Sequence, residues 1–142
     1  MMEQKNISST KEGHIFVHRK KDKLINGQLQ SVSIPYICID STDKLSGADW
    51  NRVVAVFVHG PTWQFKGWPY LLPNSCPSEI FSRIKAFHLK YSDSPLDSNI
   101  SKWNVTVLNV LRNRRHMDRA AATSFWDSVD KFISRTKPSL RY

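Results

Sequence analysis

An unbroken apolar run from Val53 to Val58 is the feature that most constrains the fold of this chain. A strand that is apolar on both faces is typical of a sheet covered by helices on both sides, so the run predicts a central strand of an α/β domain. Gly60 follows closely, and Lys66 stands six residues after that glycine. A buried strand, a glycine turn and a lysine are also how a phosphate-binding loop begins.

The loop after this strand keeps only part of the pattern G-x-x-x-x-G-K-[ST]. With Gly60 as the first position, Lys66 takes the place of the lysine, but Phe65 replaces the second glycine and Gly67 replaces the hydroxyl residue that holds Mg²⁺. A phenylalanine puts a side chain where the backbone must approach the phosphates. The sequence therefore predicts a nucleotide-type fold without a functional phosphate-binding loop, with no bound nucleotide and no cofactor.

The other patterns along the chain predict alternating strands and helices. A strand is predicted over residues 31–40, where Pro35 favours an edge position or a bulge. A helix is predicted to begin at Pro77. Residues 87–91 either extend that helix or form a strand, and the alternation of Phe87, Leu89 and Tyr91 with polar residues favours the strand; another strand is predicted over 102–111. The buried apolar stripe expected on the helix at Pro77 is Ile80, Ile84 and Phe87. The last helix is predicted to begin near Arg119, and its expected apolar face is Phe125, Val129, Phe132 and Ile133.

This order of elements resembles the beginning of small Ras-like GTPases. Strands 87–91 and 102–111 are close enough in sequence to pair antiparallel, and strand 31–39 adds to the same sheet. The prediction is a Ras-like, three-layer α/β domain with a mixed central β-sheet flanked by helices. It covers residues 31–142, and residues 1–30 are an N-terminal extension that is partly disordered, chiefly over the polar residues 1–13.

The formal net charge is +9, and basic residues cluster at 18–23, 112–119 and 134–142. Each cluster alone is typical of a solvated surface, but the three together favour an anionic partner such as nucleic acid or a phosphopeptide. No apolar stretch is long enough to cross a bilayer, so the sequence predicts no membrane partner.

Catalytic and metal sites are not predicted. The five histidines and two cysteines lack the spacings of metal ligands. Cys76 with His59 or His88 is the remaining candidate for a nucleophile pair, and it rests on residue types alone. The sequence is therefore interpreted as non-enzymatic.

Long, tryptophan-rich strings carry a family resemblance. "WNRVVAVFVHGPTWQFKGWPYLLP", "IFSRIKAFHLKY", "KWNVTVLNV", "SFWDSVDKFI" and the final "SLRY", in this order, resemble the C-terminal domain of the parafibromin (cell division control protein 73) family. The resemblance runs from about Ser31 to the C-terminus. It implies a nuclear subunit of the RNA polymerase II-associated factor (PAF) complex, with other PAF-complex subunits as partners and no nucleotide. It also implies that the domain helps hold the complex on transcribing polymerase in chromatin through phosphorylated repeats of the polymerase tail or an elongation factor.

The residues predicted to bind such a phosphopeptide combine cations with an aromatic ring. They are Arg52, Trp63 and Lys66, followed by Arg114 and Arg115. Two alternatives remain open. The first is that Trp63 and Trp68 fold inward as a plug over the empty nucleotide cleft instead of binding a ligand. The second is that the basic surface binds nucleic acid, with RNA as the partner. Trp103 and Trp126 are predicted to be core residues.

Overall fold

The computed structural model describes residues 7–9 (backbone only), 15–73 and 76–140. Its contacts divide the chain into two compact units, one comprising Met1–Trp50 with Arg141–Tyr142 and the other Asn51–Leu140. The domain boundary predicted at residue 30 falls inside a strand rather than at this division. Of residues 1–13, which are predicted to be disordered, only 7–9 are among the described residues, and they form a strand. The last two residues of the string "SLRY" also lie outside the described residues.

The first unit is built on a long β-hairpin. Its strands are β1 (Ile7–Ser9), β2 (Ile15–Ile25) and β3 (Gln28–Cys38), in the order β1-β2-β3 and antiparallel throughout. Asn26 and Gly27 have φ of 52° and 80°, the left-handed values that a tight two-residue hairpin turn requires. A short helix, α1 (Gly47–Trp50), ends this unit.

Two sequence predictions concern this hairpin. The strand predicted over 31–40 is confirmed within β3, and Pro35 lies on a strand at one end of the described sheet, as expected of an edge proline. The basic stretch before it was not predicted to be a strand. Lysine and arginine are weak strand formers, and the pairing of β2 with β3 overrides that local preference.

The second unit contains the strands and helices that follow the apolar run. These are β4 (Ala55–Phe57), a 3-10 helix (Thr62–Phe65), α2 (Ser78–Arg83), β5 (Lys85–Tyr91), α3 (Ser98–Lys102), β6 (Thr106–Val110), a second 3-10 helix (Arg115–Met117) and α4 (Asp118–Thr136). The predicted strands over 87–91 and 102–111 and the predicted final helix are confirmed, with shifted ends. Phe87, predicted on a helix stripe with Ile80 and Ile84, belongs instead to β5.

The strand pairing differs from the prediction in three respects. β5 and β6 pair in parallel, not antiparallel, because α3 lies in their connection and returns the chain to the starting end of the sheet. The order β4-β5-β6 puts β5, not the apolar run, in the centre of the described sheet. β3 belongs to the separate hairpin sheet, so the single mixed sheet expected is instead one antiparallel and one parallel sheet.

The parallel sheet is covered on both faces. Phe125 of α4 packs against Phe57 and Phe87, with ring centroids 5.3 and 4.6 Å apart. Ala86 points to the opposite face from Phe87 and is equally buried there. The predicted apolar face of α4 is confirmed, since Val129 and Ile133 are fully buried. The α/β class is therefore confirmed.

Candidate anion-binding surfaces

The loop after β4 is fixed by Gly60. Its φ is +126°, and a Cβ on this residue would lie 2.9 Å from the carboxylate of Asp97. Asp97 caps α3 by accepting from the backbone N–H groups of Asn99 and Ile100, and Asn99 Nδ2 donates to the Gly60 carbonyl at 2.9 Å. The glycine that resembles the first glycine of a phosphate loop thus serves close packing against α3.

Phe65 fills the interior beside this loop. It is 0% exposed, and its ring centroid lies 5.1 Å from that of Trp68, 5.6 Å from that of Phe81 and 6.0 Å from that of Trp103. The side chain that replaces the second glycine is therefore a core residue. Since its ring takes the space beneath the loop, the loop is a packing element without the backbone cradle that phosphates require.

Trp63 and Trp68 have different environments, which answers the question of the plug. Trp63 is 73% exposed, whereas Trp68 is half-buried and packs edge-on against Phe65. Gln64 holds the turn by donating to the Phe57 carbonyl and accepting from the backbone N–H of His59. Trp63 consequently projects outward from a fixed turn, with Lys66 exposed at its end.

Arg52 lies at the other end of β4. It is exposed in a turn before the strand. On both sides of it, the carbonyls of Asn51 and Val53 accept hydrogen bonds from Lys137 Nζ, at 3.1 and 2.7 Å. Burial, followed by the charge of Arg83, lowers the pKa of Lys137. Because Arg52 precedes β4 whereas Trp63 and Lys66 follow it, the strand separates Arg52 from these two residues.

A third surface, which we call the arginine cluster, lies where β5 and β6 end and comprises Tyr91, Asp93, Arg112, Arg114 and Arg115. Arg112 donates to both carboxylate oxygens of Asp93, at 3.2 and 3.3 Å, and its guanidinium carbon lies 4.0 Å from the centroid of the Tyr91 ring. This hydrogen bonding to Arg112 lowers the pKa of Asp93. The stacked, forked geometry presents a planar guanidinium at the end of the sheet.

The two predicted arginines of the cluster differ in availability. Arg115 Nε donates to Asp118 at 2.8 Å, which raises its pKa, and its Nη1 donates to the Tyr91 hydroxyl at 3.3 Å. The Arg114 side chain is exposed and makes no ion pair within the described part of the chain. Arg114 is thus the better placed of the two to accept an anionic ligand.

A shallow depression of about 260 Å³ lies within the arginine cluster, between the segments that follow β5 and β6. Its lining residues are Ser92, Asp93, Leu111, Arg112, Asn113 and Arg114. Pockets beyond the carboxyl ends of parallel strands are the usual ligand sites of such sheets. The depression is therefore a concave surface that carries two arginines and one aspartate beside polar and apolar side chains.

The strand register separates the predicted residues into distinct surfaces. β4 ends level with Phe87, while β6 ends level with Tyr91, four positions further along β5 and roughly 13 Å away. The loop with Trp63 and Lys66 is tied to α3 and to Phe81, whereas Arg115 is tied to Tyr91 and Asp118. The five predicted residues hence form three surfaces rather than one site.

Sequence reasoning missed several residues of the arginine cluster. Arg112 was included in the basic run 112–119 but not among the predicted binding residues, and Tyr91 and Asp93 were assigned only to a strand and a turn. The available signal was the parallel sheet, which brings the segments after neighbouring strands to the same edge. The predicted antiparallel pairing concealed that signal, because it places those segments at opposite ends.

His88 and Cys76, two of the residues considered for catalysis, each make a local contact. His88 Nδ1 lies 2.7 Å from the Val58 carbonyl, so its ring supports the end of β4. Hydrogen bonds with Ser78 lower the pKa of the Cys76 thiol. Over residues 15–73 and 76–140, His, Cys, Asp and Glu side chains form no group able to hold a metal ion. No helix in the described ranges combines the length and the apolar character that crossing a membrane demands.

Comparison with known proteins gives concordant matches to one family. A model for the C-terminal region of the Cdc73 family of RNA polymerase II accessory factors matches residues 1–132, further toward the N-terminus than the strings quoted above. The cell division cycle protein 73 of Caenorhabditis elegans is 38% identical over 119 residues, covering 84% of this chain and 22% of that protein. The cell division control protein 73 of Saccharomyces cerevisiae is 28% identical over 133 residues, covering 92% of this chain and 31% of that protein.

A solved structure, the conserved domain of yeast Cdc73, superposes with a TM-score of 0.75 at 26% identity, and the match covers 92% of this chain and 77% of that one. The Ras-like α/β fold predicted from the sequence is confirmed by this likeness. The chain spans between 22% and 31% of the length of the two curated relatives. It belongs to the Cdc73 family of RNA polymerase II accessory factors and corresponds to that family's C-terminal region.

Proposed function

We propose that this chain is a non-catalytic interaction domain of a PAF-complex subunit, acting in the nucleus in transcription elongation by RNA polymerase II. In this proposal it binds phosphorylated repeats of the polymerase tail or of an elongation factor, and so helps recruit the complex, with its other subunits, to chromatin. Family membership supports the role in transcription. The basic charge of +9 supports an anionic ligand.

The observation that carries the proposal is the availability of Arg114 beside the stacked guanidinium of Arg112. A phosphate dianion accepts two parallel hydrogen bonds from an arginine fork, and two arginines at one depression bind it better than one. Arg112 is held in place by Asp93, whose carboxylate occupies the fork until a stronger acceptor replaces it. The phosphate-binding part of the site is therefore assigned to Arg112 and Arg114, with Arg115 holding Tyr91.

Trp63 and Lys66 are proposed to bind a neighbouring part of the same repeat peptide. An exposed tryptophan on a turn fixed by Gln64 offers a rigid ring on which proline or tyrosine can stack. The distance from the arginine cluster requires an extended peptide of several residues to reach both surfaces. Arg52, beyond the other end of β4, then contributes long-range charge rather than direct contact.

A non-catalytic role agrees with the contacts of the residues that a nucleotide site or a catalytic site would use. Phe65 and Gly60 serve packing in the loop that would hold a nucleotide, and His88 supports a backbone carbonyl. The proposed recruitment then requires only that the domain binds its peptide, without a chemical change in that peptide.

Titration with repeat peptides tests this function. A phosphoserine repeat peptide should bind at least about tenfold more tightly than its unphosphorylated form, since hydrogen bonds to charged groups are worth about 1.5–3 kcal/mol. Arg114→Ala should remove most of that difference, whereas Arg135→Ala, which deletes the same charge at the far end of α4, should leave it intact. Equal affinity for both peptide forms would overturn the proposal.

RNA binding is the competing outcome of the same titration. A single-stranded RNA bound by the basic surface would show log K falling by about 0.7 per neutralised phosphate with log salt concentration. Stronger binding of RNA than of the phosphopeptide, with that dependence, would replace the phosphopeptide by nucleic acid as the ligand.

A further inference from the structure

The turn between β5 and α3 carries a sequence motif that the proposed function does not use. It comprises residues 92–97, and in it Ser94 is followed by Pro95, the only place in the chain where proline follows a serine or a threonine. Proline has no N–H and disfavours a helical conformation of the residue before it. Proline-directed protein kinases recognise this pair at the position that they phosphorylate. The motif therefore marks one serine of the chain for that class of kinase.

The turn is accessible and only weakly held. No residue from 92 to 97, a range that the structure describes in full, is buried, and Leu96 after the motif is 44% exposed. The Ser94 N–H donates to the Tyr91 carbonyl at 3.0 Å, and the Ser94 carbonyl accepts from Lys90 Nζ at 2.9 Å. Each such bond contributes only about 0.5–1.5 kcal/mol, so the turn can open locally into the active site of a kinase while the sheet stays folded.

The hydroxyl of Ser94 already lies beside a guanidinium. Arg112 Nη2 donates to Ser94 Oγ at 3.4 Å. Hydrogen bonds to Asp93 and stacking on Tyr91 fix the same guanidinium. A phosphate on this oxygen carries a charge of about −1.5 to −2 and three strong acceptor oxygens. Because an arginine fork binds phosphate through two parallel hydrogen bonds, the modification would add a charge-assisted contact to a side chain that is already in place.

The charges around this serine suit a phosphate. Lys90 Nζ donates to the turn, and Arg112 and Arg114 line the adjoining depression together with the carboxylate of Asp93. Three cations less one carboxylate leave a net charge of +2, which a phosphate dianion neutralises. The other carboxylate of the turn, Asp97, accepts from the backbone of α3. Asp93 repels the phosphate, but the dianion attracts the guanidinium more strongly than a single carboxylate does and therefore displaces Asp93 from the fork.

We propose that Ser94 is a phosphorylation site for a proline-directed kinase and that its phosphate binds Arg112 within the same chain. In the transfer, Ser94 Oγ forms a bond to the γ-phosphorus of a nucleoside triphosphate and the bond from that phosphorus to the bridging oxygen breaks. The nucleoside diphosphate leaves, and the hydroxyl proton passes to a base of the kinase. The phosphate then occupies the arginine cluster and closes it to a phosphopeptide. Only this last consequence rests on the proposed function.

Phosphorylation of the whole chain by a recombinant cyclin-dependent kinase with ATP, followed by peptide mass spectrometry, tests the site. One phosphate should appear on Ser94, and Pro95→Ala should abolish most of the incorporation although it keeps the serine. Ser98→Ala, which removes a nearby exposed serine that no proline follows, should leave the incorporation unchanged. No phosphate on Ser94, or equal incorporation in Pro95→Ala, would overturn the proposal.

Phosphorus NMR of the modified chain tests the internal contact without any peptide. Lys90, Arg112 and Arg114 attract the phosphate dianion and Asp93 repels it, with Arg112 nearest to the serine oxygen. In phosphorylated Arg112→Gln the titration midpoint of the phosphate should therefore rise by at least about half a pH unit. Arg135→Gln, the same change at the far end of α4, should leave the midpoint where it is. An unchanged midpoint in Arg112→Gln would overturn the internal contact.

Titration with the phosphoserine repeat peptide tests the closure of the arginine cluster. The chain phosphorylated on Ser94 should bind this peptide at least about tenfold more weakly than the unmodified chain, since the internal phosphate takes the same fork at a high effective concentration. If the unmodified chain prefers the phosphorylated peptide and modification leaves that affinity unchanged, the closure is wrong and the proposed function stands. If the unmodified chain shows no such preference, the proposed function and the closure both fail, while the phosphorus NMR result still decides the internal contact.

Discussion

Replacing Phe65 by alanine tests the view that the former phosphate-loop position has become part of the core. The Phe65 side chain is 0% exposed and lies against three aromatic rings. Truncating a buried phenylalanine removes its transfer free energy and leaves a cavity, at a cost of about 3–5 kcal/mol. A domain of this kind is stable by only about 5–15 kcal/mol, so the substitution removes a large fraction of the total.

Equilibrium urea unfolding, followed by tryptophan fluorescence, measures this loss. The Phe65→Ala variant should unfold at a much lower urea concentration, with a melting temperature lower by about 10 °C at the usual 2–4 °C per kcal/mol for a chain of comparable size. Trp63→Ala is the matched control in the same turn. Because Trp63 is 73% exposed, its removal should change the free energy of unfolding by no more than about 0.5 kcal/mol.

A loss smaller than about 1 kcal/mol for Phe65→Ala would refute this reasoning, since a side chain that contributes so little is not held in a packed interior. A larger loss for Trp63→Ala than for Phe65→Ala would reverse the assignment of the inward and outward rings.

Three further predictions concern neighbouring contacts. Gly60→Ala should destabilise the fold by about 1–3 kcal/mol in urea unfolding because φ at this residue is +126°. Asp97→Ala alone removes the cap of α3, so the effect of Gly60→Ala is measured again in that background, where it should be smaller by the part due to the 2.9 Å contact; an effect of zero there would contradict the backbone argument. Asp93→Asn should tighten phosphopeptide binding about two- to fivefold by freeing Arg112, whereas Asp127→Asn on α4 should not, and weaker binding would mean that Asp93 contacts the ligand itself. The pKa of Lys137 is lowered by burial, so the folded state loses this proton at lower pH than the unfolded state does. As the pH rises toward the ordinary value of 10.5, the free energy of unfolding should therefore rise relative to that of Lys137→Met, and parallel pH curves would contradict that burial.

Local patterns in the sequence predicted the elements well. The alternation of Phe87, Leu89 and Tyr91 identified β5, and the spacing of Phe125, Val129 and Ile133 identified the buried face of α4. Both signals depend only on which side chains share a face, so they survive without knowledge of the rest of the fold.

Pairing and orientation could not be predicted in the same way. Whether β5 and β6 are parallel depends on α3, a helix of five residues whose start depends on the side chain of Asp97. Whether Trp63 or Phe65 points inward depends on Phe81 and Trp103, which are distant in sequence. Arg114 and Arg115 are alike in sequence, and only the position of Asp118 and Tyr91 distinguishes the engaged arginine from the available one.

The most direct test of the proposed function is an NMR titration of the isotope-labelled chain with phosphorylated and unphosphorylated forms of one repeat peptide. The phosphorylated form should shift the backbone amides around Tyr91–Ser94 and Leu111–Arg115, and Arg114→Ala should abolish those shifts. Identical shifts with both forms, or phosphate-dependent shifts confined to the loop around Gly60 or to the β2–β3 hairpin, would contradict the assignment of phosphate recognition to the arginine cluster.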